Sequence, residues 1–234
     1  MRNAAVVRAG GVALVGGAVA FLAVFTYLAA QFDYPDILDG APGVVLPRLL
    51  EIGGAGRAVW ALYAVLPLVW IPAGVGAFHA LRAVRAGSMR VAMLLATVAA
   101  MSMMLGLMRW PSVHWELAQA YAVAGADARD ALAAVFSGLN VFLGNYVGEF
   151  LGELTVSLFF LLSALAMLRP ASGFPRWMGF LGVATAVAGL IGMFRNVTGV
   201  VAPVAEVNNY LLPLWMIVFG GGLIRSASAP PVVP

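Results

Sequence analysis

RWMGFLGVATAVAGLIGMFR, residues 176–195, is the stretch that decides the fold. An arginine closes each end and no charged residue lies between them. The 19 residues from Arg176 to Arg195 rise about 28 Å as a helix, close to the thickness of a bilayer's hydrocarbon core. A soluble helix would carry polar residues along one face, and this one has only Thr185. It reads as a transmembrane span with a charged anchor on each side of the membrane.

The same reading extends in both directions. Of 234 residues, 63% are hydrophobic and 10% are charged, against roughly 25% charged in an ordinary soluble domain, so the chain could not solvate its own surface. The mean hydropathy is +0.98. Apolar runs of spanning length fall at 10–31, 57–81, 90–109, 147–168, 177–195 and 208–224. The expected fold class is therefore all-α, a polytopic transmembrane helical bundle with six spans. Residues 1–226 form a single transmembrane domain, and 227–234 a disordered tail. The first run is too long for a signal-peptide core and reads as an uncleaved span.

The short connections alternate in charge. Arg2 and Arg8, then Arg82, Arg85 and Arg90, then Arg169 and Arg176, and finally Arg225 fall on one side. Asp33, Asp36, Asp39 and Glu51, then Asp127 and Asp130, then Glu206 fall on the other. The positive-inside rule puts the arginine side, with both termini, in the cytoplasm. All 13 basic residues are arginine, and with abundant Ala, Gly and Val this composition points to a GC-rich bacterial genome and hence to the inner membrane. The basic residues flank apolar spans, so the net charge of +3 marks topology and not a nucleic-acid partner.

Residues 128–146 leave one ambiguity, because apolar residues continue without a breaker from Ala128 to Leu168, twice the length of a span. A seventh span is the alternative. It would put Arg169 and Arg176 opposite Arg82 and Arg85, so six spans with an interfacial or half-inserted extension are expected. Pro111 should open a short helix to Val123 at headgroup level, and Pro67 and Pro72 should kink the second span.

Composition also removes whole classes of chemistry. Without lysine there is no retinal or other imine site; without cysteine there is no disulfide, thiolate metal site, thiol nucleophile or iron–sulfur cluster. No cofactor is implied.

Counting from the arginine anchors gives depth. Arg109 and Arg195 each lie 19 residues beyond an anchor, at Arg90 and Arg176, and Glu153 lies 16 before Arg169. Glu149 is one turn nearer the outer surface, and Asn208 and Asn209 lie 16–17 residues before Arg225. Arg109, Arg195, Asn196, Glu149, Glu153, Asn208 and Asn209 thus share one slab near the outer boundary. Asn145, Glu149 and Glu153 recur every fourth residue on one helix face. Beside them Gly144, Gly148 and Gly152 make a small-residue stripe for close helix approach.

Two readings follow. The cluster is either a set of structural ion pairs locking the third, fourth and fifth spans together or a polar pocket, since ionisable groups inside a membrane are functional candidates. In the pocket reading, Glu149 and Glu153 are the acid–base candidates. Arg109, Arg195, Asn145, Asn196, Asn208 and Asn209 bind a polar or anionic head, with His114 at the rim. Trp60, Tyr63, Trp110, Tyr146 and Tyr210 line an apolar cavity. His114, Glu116 and the two glutamates offer too few histidines for a zinc site, so no metal is assigned. Asp33, Asp36 and Asp39 read as a solvated loop.

Phe32-Asp33-Tyr34-Pro35-Asp36, Arg109-Trp110-Pro111, Gly148-Glu149-Phe150-Leu151-Gly152 and Pro175-Arg176-Trp177-Met178-Gly179 together resemble a large bacterial family of polytopic membrane proteins of unknown function. The resemblance covers nearly the whole chain and implies the topology. Arg109 and Glu149 match its pattern, whereas His114 and Glu153 carry nothing over. The expected function is binding of a lipid-like or amphipathic small molecule, with membrane lipid as a partner and acid–base cyclisation or isomerisation as the reaction. A proton-coupled transporter using the same glutamates, and a non-enzymatic subunit with a protein partner or a second copy of itself, are the alternatives.

Overall fold

The structure, a computed structural model, describes residues 3–228, and every regular element among them is helical. Nine α-helices run α1 (Ala4–Phe32), α2 (Pro42–Glu51), α3 (Gly53–Val65), α4 (Trp70–Met108), α5 (Trp115–Val123), α6 (Ala126–Leu139), α7 (Gly152–Met167), α8 (Arg176–Gly192) and α9 (Ala202–Ser228). Five helical stretches are long and apolar enough to cross a membrane: Ala4–Phe32, Gly53–Val123, Ala126–Met167, Arg176–Asn196 and Gly199–Ser228. The chain is a multi-pass membrane protein.

The second stretch holds two of the expected spans. At Arg85 the backbone leaves the helical region (φ −154°, ψ 63°), and α4 folds back on itself. A Cβ on Gly74 would lie 2.8 Å from the Ala96 Cβ and 3.4 Å from the Met93 Cα, so the limbs before and after Arg85 are antiparallel neighbours. The runs 57–81 and 90–109 are these two limbs, with Arg82, Arg85 and Arg90 at the bend. Pro67 lies in a 3-10 turn, Leu66–Val69, which joins α3 to α4.

At the arginine end the helices touch backbone to backbone. A Cβ on Gly10 would lie 2.7 Å from the Pro72 carbonyl oxygen and 2.8 Å from the Gly76 Cα. One on Gly11 would lie 2.6 Å from the Gly220 carbonyl oxygen. Lipid tails are as apolar as leucine, so this close dispersion contact holds membrane helices together where the hydrophobic effect does not. An apolar core is built from α1, α4, α7, α8 and α9, centred on Trp70, Phe159, Phe160, Trp215 and Phe219, and a cavity of about 650 Å³ lies at this end between the start of α8 and the end of α9.

A second core lies at the acidic end, where Phe32, Trp60, Trp110 and Phe136 pack with Leu46 and Leu49 of α2. Trp60 stacks on Trp110 with centroids 4.9 Å apart. α6 packs against α5 and α2 at this end of the bundle, and with the following π segment and α7 it forms one continuous apolar stretch, Ala126–Met167. Two π-helical segments interrupt the regular helices here, Trp110–His114 and Asn140–Leu151. The expected helix from Pro111 therefore begins as a π turn. α9 continues through Ser228; the remainder of the expected tail, residues 229–234, lies outside the described residues.

Candidate functional site

The π segment Asn140–Leu151 carries Glu149 and passes directly into α7, which carries Glu153. α8 ends in a 3-10 turn, Met193–Asn196, which aims Arg195 and Asn196 at both carboxylates. The Arg195 guanidinium forks between them: Nε donates to Glu149 Oε2 at 3.2 Å and a terminal nitrogen donates to Glu153 Oε1 at 2.6 Å. Asn196 Nδ2 donates to the same Glu149 oxygen at 2.7 Å and to the Asn145 carbonyl at 3.1 Å. One cation thus serves two carboxylates. Glu153 is 12% exposed, and its second oxygen, Oε2, is buried with no hydrogen-bond partner among the described residues.

Among the described residues Arg109 makes no ion pair. It is 5% exposed, and its Nε donates to Asn140 Oδ1 at 3.1 Å while a terminal nitrogen donates to the Gly106 carbonyl. Its guanidinium carbon lies 5.1 Å from the Trp110 ring centroid. Gly144 makes room for it, since a Cβ there would collide with the guanidinium. The glycine stripe does bring helices together: a Cβ on Gly106 would lie 2.5 Å from the Gly148 Cα. The expected pair of ion-pair sets is thus a single set, at Arg195, because Arg109 is satisfied by neutral acceptors and an aromatic face.

Two connected cavities meet at this cluster. The smaller, about 160 Å³, is a recess lined by Arg109, Trp110, Gly144, Gly148 and the Glu149–Arg195–Glu153 triad. The larger, about 530 Å³, lies between α1 and α9 under the loop after α1, and the triad lines it too. Its apolar walls are Phe21, Leu22 and Phe25 of α1 with Leu212, Pro213 and Met216 of α9. Leu22, Phe25, Asp36, Asp39, Glu206 and Asn209 at its edge are exposed. α1 and α9 touch at Gly11 and Gly220 and part beyond Gly17, which sits against Met216.

Several expected site residues lie elsewhere or play other parts. His114 is fully buried against Trp110, 4.8 Å away, and Phe136, 4.5 Å away, and neither ring nitrogen has a partner. It lines neither cavity, because the π turn draws it into the aromatic core. Tyr210 is 80% exposed; at about 100° per residue it points away from Asn208, two positions before it. Tyr146 is exposed against Phe150, and Trp60 stands behind Trp110 without reaching a cavity. Tyr63 and Trp110 do line the recess. Asn145 bonds Asp39 at 3.4 Å, tying the loop to the π segment, and lines neither cavity. Asn208, 4% exposed, lines the larger cavity with its Oδ1 unpartnered, and Asn209 stands at the rim. Arg195, already shared by two carboxylates, has little left for an anionic head group.

The loop from Asp33 to Asp39 is part of the site and not only a solvated turn. Tyr34 and Leu38 line both cavities, and the Leu38 carbonyl accepts from Asn140 Nδ2 at 3.0 Å. Burial raises the Tyr34 phenol above its ordinary pKa, and its hydroxyl lies 3.3 Å from that of Tyr63. Asn140 could have been found in the sequence, since it stands four residues before Gly144 and heads the small-residue stripe. Nothing in the local sequence announces that the loop folds back.

No curated protein and no solved structure matches the chain. The family model for DUF4386, a domain of unknown function, matches residues 9–224, in line with the multi-pass architecture and the motifs that resemble an uncharacterised membrane family. The chain belongs to the DUF4386 family.

Proposed function

We propose that this is a bacterial inner-membrane protein that takes an amphipathic, lipid-like molecule into the crevice between α1 and α9. Its arginine end would lie in the cytoplasm and the crevice in the outer half of the bilayer, as the charge asymmetry of the short connections supports. One observation carries the reading. The 530 Å³ cavity is walled by apolar side chains of two outward-facing helices, and its inner end holds the Glu149–Arg195–Glu153 triad and Asn208. A molecule arriving sideways from the bilayer would pass Leu22 and Phe25 on the apolar side of the rim before reaching the triad, with Asp36, Asp39, Glu206 and Asn209 on the polar side of that rim. The volume falls within the range of small-molecule sites.

Any reaction at this site falls to Glu149 and Glu153. With one guanidinium between them, the pair is short of one positive charge, and a proton or a ligand cation can supply it. Either carboxyl could give or take a proton at a bound molecule, as an isomerisation or cyclisation requires. Transport has less support, because the core of the arginine-end half is apolar and the cavity at that end, between α8 and the end of α9, shares no lining residue with the crevice.

Trp70 lines the larger cavity and can report occupancy. A nitroxide-labelled single-chain amphiphile titrated into the protein in maltoside micelles should quench tryptophan fluorescence saturably, and Trp70→Phe should remove that component. Quenching that rises linearly with amphiphile and is indifferent to Trp70 would mean mere partitioning and would end the proposal.

A further inference from the structure

The larger cavity has a charge character of its own. Asp36, Asp39, Glu149, Glu153 and Glu206 line it against a single cation, Arg195. Arg109 lines only the recess, where its hydrogen bonds go to Asn140 and the Gly106 carbonyl, and its charge offsets Glu149 and Asp39 only through space. An anionic head group would enter this cavity against a net excess of carboxylates, five of them facing Arg195 at the wall and Arg109 behind it.

The buried polar atoms point the same way. Glu153 Oε2 and Asn208 Oδ1 are both buried and without a partner, and both are acceptors. An orphaned buried acceptor is costly, so native proteins rarely leave two in one cavity unless something supplies donors. No described residue donates to either atom: Arg195 Nε and one terminal nitrogen go to the other glutamate oxygens, and Asn196 Nδ2 to Glu149 and the Asn145 carbonyl. The cavity is therefore short of positive charge overall and of donors at these two atoms. Its remaining walls include the rings of Phe21, Phe25, Tyr34 and Trp70, the surfaces that organic cations favour.

We infer that the polar head of the ligand is an N–H-bearing ammonium group, held among Glu149, Glu153 and Asn208 with its hydrocarbon part against the α1 and α9 walls. This rests on the amphiphile reading and gives it a chemical class. A protonated primary or secondary amine supplies the missing charge and the missing donors at once. A quaternary ammonium supplies only the charge, and an alcohol only a donor.

Calorimetric titration of the full chain in maltoside micelles tests this with dodecylammonium as the probe. Dodecyltrimethylammonium, dodecyl phosphate and methylammonium serve as comparison ligands. Dodecylammonium should bind saturably, and dodecyl phosphate and dodecyltrimethylammonium each about tenfold more weakly or not at all. Glu153→Gln and Asn208→Leu should each weaken dodecylammonium by about tenfold. Asp36→Asn and Glu206→Gln, exposed and outside every core, keep the fold and should weaken it by about threefold, less so at high salt.

Dodecyl phosphate binding as tightly as dodecylammonium would overturn the ammonium inference and leave the amphiphile reading standing. Equal binding of dodecyltrimethylammonium would overturn the N–H requirement. Methylammonium binding as tightly as the long-chain amine would support the ammonium site and remove the lipid-like ligand. Saturable binding by none of the four would overturn both.

Discussion

Glycines mediate the closest contacts at both ends of this bundle, and the outcomes differ. At the arginine end, Gly10 against Gly76 and Gly11 against Gly220 join regular α-helices beside a core of Trp, Phe and Ala, and the cavity there, of about 650 Å³, is lined by no carboxylate among the described residues. At the acidic end, Gly106 against Gly148 joins an α-helix to a π segment, and beside that contact lie two cavities, a buried arginine and a shared carboxylate pair. The close approach is common to both; the regular helical register is not. Where the register holds, the core is apolar, and the cavity at that end is lined by one charged side chain among the described residues, Arg225. Where it slips by a π turn, side chains that an α-helix would spread around its axis gather on one side and leave room between them.

The largest expected effect breaks the comparison at its electrostatic centre. Arg195→Leu leaves Glu149 and Glu153 without their cation and should lower stability by about 3–5 kcal/mol, read as a fall in the unfolding midpoint in maltoside micelles, with Arg195→Lys recovering part of it. Next come the glycine contacts themselves. Gly10→Val and Gly106→Val should each cost about 1–3 kcal/mol by overpacking, but only the second should also abolish amphiphile-dependent quenching of Trp70. If both variants abolish it, the two ends are not separable in function. Glu153→Gln keeps the size of the side chain while Arg195 retains Glu149, so it should cost about 1–2 kcal/mol in the same unfolding assay. Tyr210→Ala and Tyr146→Ala, both on the exposed surface, should move stability and binding by no more than about 0.5 kcal/mol. A clear loss from either would return these rings to the cavity wall.

What could be read from the sequence follows the same division. Spans, bend and depth come from apolar length and arginine anchors, which depend only on rise per residue, so Glu149, Glu153, Arg195, Asn196 and Asn208 were found at one height and do meet. Azimuth was a different matter. The i, i+4 rule assumes α-helical turns, and within the π segment it misplaced Asn145, whose side chain bonds the loop and misses the cavity. The same turn geometry buried His114, and two residues of ordinary helix carried Tyr210 outward. The loop at Asp33–Asp39 was illegible for another reason: its contacts, Leu38 with Asn140 and Asp39 with Asn145, join residues about a hundred positions apart.

The π segment has a consequence for how this chain can vary. Each residue added to or removed from a helix turns everything beyond it by about 100° and shifts it by 1.5 Å. Losing one residue between Asn140 and Gly148 would swing Asn140 and all of α6 around the axis relative to Glu149, parting Arg109 from its amide. Conservative exchanges can be absorbed there, but a change of chain length cannot. Across relatives of this protein the count from Arg109's amide partner to the first glutamate should be invariant, while loops at the arginine end lengthen and shorten freely.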